Sequence, residues 1–146
     1  MAEDCVDQAA TLAQLPESPC TTHHLRIHGF HNAAKQFGSL AVYGSDALEI
    51  RKLIESDAGL GEPLHTALPY VKAEVVWAAR HEMARTVEDV LARRTRALFL
   101  NGRAASEMAP AVADLMAREL GWSEKTKHEQ VAAFRGLAAN YILSTK

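Results

Sequence analysis

The chain has 146 residues, 48% hydrophobic and 23% charged, with a net charge of −2 and a pI of about 6.4. That length supports one domain with one real core, and that composition excludes a disordered chain or a membrane-embedded one. The near-neutral balance offers no global attraction to nucleic acid or an anionic membrane, and no apolar run approaches the roughly 20 residues of a membrane span.

Residues 2–15 read as a helix with Val6, Ala9, Ala10 and Ala13 on one face, ended by Pro16 and Pro19. Glu3 and Asp4 stand where a secretory signal would carry basic residues, and Cys5 and Cys20 lack any CxxC spacing, so free thiols and a cytoplasmic location are expected. Residues 20–31, CTTHHLRIHGFH, alternate well enough for a short strand. Its histidines do not form a metal site, because positions 24 and 28 of a strand lie about 13 Å apart. Residues 32–45 pass through Gly38 and Gly44 as a linker.

Ser45 or Asp46, with Glu49, is read as the cap of a helix carrying Leu48, Ile50, Leu53 and Ile54. Residues 57–68 form a loop punctuated by Gly59, Gly61 and Pro63. Pro69 opens the next helix, to about Met83, whose apolar arc is Val71, Val75, Val76, Ala78, Ala79 and Met83, with Glu82 inside it. Thr86 and Asp89 open another, to about Leu100, with Val87, Val90, Leu91, Ala97 and Leu98 inward and Arg94 among them. Two charges on core-facing stripes of adjacent helices should meet, because an unpaired buried charge costs several kcal/mol. A structural buried ion pair between Glu82 and Arg94 is expected, with Glu74 as the alternative carboxylate. The competing reading makes Arg93, Arg94 and Arg96 an anion contact. Pro110 should kink or break the helix over 103–120, and Ser123 should cap a last one with Val131, Phe134, Leu137, Ala138 and Tyr141 inward.

No catalytic constellation, cofactor motif or metal set emerges. HExxR at residues 81–85 has arginine where a zinc-protease helix needs its second histidine. GLG at 59–61 lacks the lysine and the preceding strand of a phosphate loop. A helix-turn-helix DNA binder fits the shape of residues 70–100, but Glu88 and Asp89 occupy the turn that would approach bases.

Three ordered runs carry more information: VYGSDA at 42–47, AEVVWAARHEMARTVEDVLARRTRALFLN at 73–101, and EMAPAVADLMARELGW at 107–122. Together they resemble the C-terminal helical domain of the aerobic FAD-dependent glycerol-3-phosphate dehydrogenases and alpha-glycerophosphate oxidases. PCTTHHLRIHGFH resembles the segment joining that family's flavin domain to its helical domain, and MAEDCVDQA the last flavin-domain helix. The resemblance implies an all-α fold of five to six helices in an orthogonal bundle, preceded by one N-terminal helix and an extended linker. It divides the chain into a flavin-domain remnant (1–19), a linker (20–44) and the helical domain (45–146).

It implies too that FAD and the catalytic groups belong to the parent enzyme rather than to these residues. The parent oxidises glycerol 3-phosphate to dihydroxyacetone phosphate, its electrons passing to quinone or oxygen, on the cytoplasmic face of a membrane. The chain is then expected to be inactive alone, as an accessory domain. A helical interaction module acting in trans with a flavin-domain chain is the alternative, and a DNA binder the third reading. The expected partner is the flavin domain, in cis or in trans, with a homo-oligomer through the exposed N-terminal helix as a further contact. Met1 set directly against helical sequence is read as an internal methionine of a fragment or shortened frame.

Overall fold

The computed structural model describes residues 1–16 and 18–143, so residue 17 of the expected remnant and residues 144–146 of the expected helical domain lie outside the described residues. The architecture is mostly all-α, with one small two-stranded antiparallel sheet. In chain order the elements are α1 (Ala2–Leu12), a 3₁₀ stretch over Ala34–Asp46, α2 (Ala47–Ser56), β1 (Pro63–His65), β2 (Leu68–Val71) and α3 (Lys72–His81). A π-turn (Asp89–Arg94), α4 (Ala97–Leu100), α5 (Gly102–Leu120) and α6 (Glu124–Ala139) complete it.

α5 is the central element. Ala104, Ala105, Ala109 and Ala113 make its buried stripe, and their small side chains let neighbouring backbones approach closely. Met108, Val112, Leu115 and Met116 fill the space between, against α3, α4 and α6. Phe134 of α6 and Leu91 of the π-turn are the largest plugs of this core. A second, smaller cluster joins Phe37, Leu40, Ala47, Ile50, Ala73 and Trp77.

Several expectations are corrected. Residues 20–31 form a 3₁₀ turn at Thr22–His24 and irregular chain rather than a strand, because no partner strand lies beside them among the described residues. Residues 34–46 are folded chain that buries Phe37 and Leu40. The 3₁₀ stretch runs directly into α2, so neither Ser45 nor Asp46 caps it with a side chain, and Glu49 bonds Lys52 instead. Residues 57–68 contain a 3₁₀ turn and β1, and Pro69 lies in β2, whose pairing with β1 wins over the helix-start preference of proline.

Helix α3 stops at His81 because Met83 takes a left-handed φ of 58°, which leaves Met83 78% exposed. The helix expected over 86–100 is divided. Thr95 N–H donates to the Val90 carbonyl at 2.9 Å, an i to i−5 bond, and Arg96 then turns left-handed at φ 59°. Helix α5 continues through Pro110 without a break. Tyr141 is exposed and meets Phe99 edge-to-face at 5.6 Å.

Other expected features are present. Thr86 and Asp89 form a reciprocal cap, with Asp89 N–H to Thr86 Oγ1 at 3.0 Å and Thr86 N–H to Asp89 Oδ2 at 2.9 Å. Ser123 caps α6 by accepting from Thr126 N–H. Val87, Val90, Leu91, Ala97 and Leu98 are all buried. Helix α1 carries no buried residue, and its Val6 and Leu12 are exposed.

Candidate functional site

Helix α3 receives polar contacts from the π-turn at its C-terminal end and from the 34–46 segment at its first turn. Glu82 is the C-cap of α3 rather than an interior residue, so it sits at a half-buried helix end. Arg94 reaches it from the end of the π-turn. Its Nε and Nη2 donate to the Glu82 carbonyl oxygen at 3.2 and 2.5 Å, and Nε lies 3.6 Å from Glu82 Oε2. The side chains are 33% and 27% exposed, so the contact is half-buried and mostly to main chain. Burial pushes the Glu82 carboxyl up, Arg94 pulls it down, and Asp46 pushes it up again, for a net rise. The indole N–H of Trp77 is buried without a hydrogen-bond partner among the described residues, while the ring stacks on His81 at 4.1 Å.

Glu74 is separate from that contact. It is 3% exposed on the first turn of α3, and no cation pairs with it among the described residues. Its Oε2 accepts from Val71 N–H at 2.7 Å, closing the helix start, and its Oε1 accepts from the Tyr43 hydroxyl at 3.1 Å. Burial raises its carboxyl above the ordinary range, against the two hydrogen bonds, which lower it. Burial together with the Glu74 charge likewise drives the Tyr43 phenol upward. Sequence periodicity found Glu74 and Glu82 but missed Tyr43, which sits in the segment taken for a linker. The available signals were its place between Gly38 and Gly44 and in the VYGSDA run at 42–47.

The two remaining arginines occupy different surroundings. Arg93 donates to Glu88 at 2.6 Å and to Asp89 at 2.7 Å, so its charge is already answered within its own turn. Arg96 is exposed, 6.0 Å over the Phe99 ring. Tyr70 of β2 donates to the Thr95 carbonyl, which ties the sheet to the turn between them.

The GLG stretch does not form a phosphate loop. The Gly59 amide is spent on Asp57 Oδ1 at 2.9 Å, and a Cβ at Gly61 would meet Ile54 Cγ2 at 2.9 Å, so these glycines serve a packed turn. No cluster of three metal-ligating side chains occurs among the described residues, and no described helix is long and apolar enough to cross a membrane.

Fold and cluster together define a helical domain whose charged groups mainly bind its own elements to one another. The family model for the C-terminal domain of alpha-glycerophosphate oxidase matches residues 20–127, and the chain belongs to that family. It is 33% identical over 151 residues to the mitochondrial glycerol-3-phosphate dehydrogenase of Mesocricetus auratus, covering 90% of this chain and 21% of that protein. The human mitochondrial enzyme is 32% identical, over 92% of this chain and 21% of its own length. That of Arabidopsis thaliana is 30% identical, over 90% and 26%. The chain therefore spans about a fifth of the length of the first two relatives. No solved structure matches it.

The cytoplasmic expectation is corrected by these relatives, which are named mitochondrial. It rested on the acidic residues near Met1 and on the absence of CxxC spacing, neither of which bears on an organelle.

Proposed function

We propose that this chain serves as the C-terminal accessory domain of an FAD-dependent glycerol-3-phosphate dehydrogenase, supplying no catalytic or flavin-binding group of its own. The observation that carries the reading is the family match over residues 20–127, in a chain spanning about a fifth of the relatives it matches. The parent reaction is oxidation of glycerol 3-phosphate to dihydroxyacetone phosphate, with the flavin taking the electrons and passing them on. The partner is the flavin domain, in cis or in trans.

The physical support is a domain with its own packed cores that leaves Leu25, Ile27, Phe30 and Val42 exposed, apolar area of the kind a neighbouring domain covers. The ion contact of Glu82 and Arg94, with Glu74 nearby on α3, acts structurally and not in chemistry. The exposed face of α1 supplies a further contact surface for a second copy.

The test is direct. The purified chain, incubated with FAD and desalted, should show no visible flavin absorbance and no dye-linked oxidation of glycerol 3-phosphate. Retained flavin with turnover would overturn the reading.

A further inference from the structure

The 34–46 segment is a strap with two glycine joints. Gly38 (φ 61°, ψ −125°) and Gly44 (φ 55°, ψ −122°) take conformations that residues with a Cβ rarely adopt, and the five residues between them run in 3₁₀ form. Gly44 is required a second time: a Cβ there would stand 1.7 Å from the Gly29 carbonyl oxygen, which accepts from Ser45 N–H at 3.0 Å. His28 Nε2 lies 2.7 Å from Asp46 Oδ2 across the same crossing. The turn around residues 25–30 is thus clipped to the far joint of the strap and must travel with it.

The strap is held at both ends by different elements. Near Gly38, Phe37 is buried beneath the Arg51 guanidinium of α2 (4.9 Å to the ring centre), and Arg51 Nη2 donates to the Gln36 carbonyl at 3.3 Å. Near Gly44, the polar tie to α3 is the Tyr43 hydroxyl on Glu74. That carboxylate meets no cation among the described residues and is held by two neutral donors, Tyr43 and Val71 N–H, one of which belongs to the strap. The Val71 bond closes the helix start without a donor from the strap.

We infer that residues 38–44 are a glycine-hinged strap latched to α3 by the Tyr43–Glu74 hydrogen bond, and that releasing this latch swings residues 41–46 and the turn at 25–30 clipped to them, while Phe37 and Leu40 stay buried and the α3–α5–α6 core stays folded. The segment carries the exposed Leu25, Ile27, Phe30 and Val42, so the latch sets where this apolar surface is presented. A half-buried hydroxyl on a buried carboxylate suits a latch. It is strong enough to hold one conformation and weak enough to open without unfolding the domain.

The experiment is amide hydrogen exchange on the full chain, wild type against Tyr43→Phe and Glu74→Gln. Tyr43→Phe keeps the ring and removes one hydroxyl. Glu74→Gln keeps the shape but replaces the charged acceptor with a neutral amide whose NH2 can only donate weakly to the Tyr43 oxygen. Tyr43→Phe should raise exchange across residues 38–46 about tenfold and Glu74→Gln by less, with α5 amides unchanged. Unchanged exchange in the strap of Tyr43→Phe, or equal acceleration of strap and α5, would overturn the inference. The first outcome would mean that the apolar anchors alone hold the strap, and the second that the bond belongs to the global fold.

Discussion

The Nε–H of Arg135 on α6 donates to the Ser106 carbonyl of α5 across 3.4 Å, and Ser106 is the residue four before Pro110. Proline has no amide hydrogen, so that carbonyl has no helical partner. A charged donor from the neighbouring helix takes its place, and α5 runs unbroken from Gly102 to Leu120. Arg135→Ala should cost about 1 kcal/mol, the net worth of an exposed charged donor on a main-chain acceptor. Pro110→Ala should stabilise by about 1–2 kcal/mol by restoring the helical bond. Urea midpoints of the two variants and their combination test this, since the arginine effect should shrink once the amide restored by Pro110→Ala occupies the Ser106 carbonyl.

Arg94 bonds the Glu82 main chain more closely than its carboxylate, so the two residues should respond unequally. Arg94→Ala should cost about 1–2 kcal/mol through the lost bonds to the last turn of α3. Glu82→Gln keeps that carbonyl and removes a half-buried charge, and should shift stability by less than about 0.5 kcal/mol. Thermal melts at fixed salt decide between this and a conventional ion pair, for which the two losses would be similar.

Gly38 and Gly44 share a left-handed φ but differ in surroundings. An added Cβ at Gly38 meets nothing within 4 Å, whereas at Gly44 it would overlap the Gly29 carbonyl. Gly38→Ala should therefore cost about 1–2 kcal/mol, from backbone strain alone. Gly44→Ala should cost more than twice that and perturb backbone NMR signals of residues 25–30, because the crossing must separate.

Acid should act on this fold in two opposite directions. At Asp89, burial opposes ionisation, but the Arg85 amide, the Thr86 hydroxyl and amide, and the Arg93 charge outweigh it and hold the carboxyl below its ordinary range. Its stabilisation is present above the ordinary carboxylate range and is lost as pH falls through the depressed folded value. Glu74 and Glu82 are raised, chiefly by burial, so their contribution is fully present below that range and is lost as pH rises through their folded values. Urea titrations against pH should show Asp89→Asn flattening the loss on the acid side. Glu74→Gln should flatten the decline on the alkaline side of the ordinary carboxylate range.

The helical cores were legible because periodicity is a local property: the inward residues of 87–98, the Thr86–Asp89 cap and the Ser123 cap all follow from spacing of a few positions. Places where one chain segment answers another were not. Pro110 reads as a break until Arg135 is known to face Ser106. Residues 32–45 read as linker until Phe37 and Leu40 are seen to close a second cluster. Glu82 reads as core until Met83 turns left-handed and ends the helix one residue before it.

By itself, then, the sequence determined a mostly helical domain, the positions of most helices and, through three ordered runs, the family. Each of these is written in local spacing or in residue order. Only the tertiary structure decided that Glu74 meets Tyr43 while Arg94 takes the end of α3, and that Gly44 lies against Gly29. Those pairings join residues 12 to 31 positions apart, and their geometry exists only once the elements between them have packed.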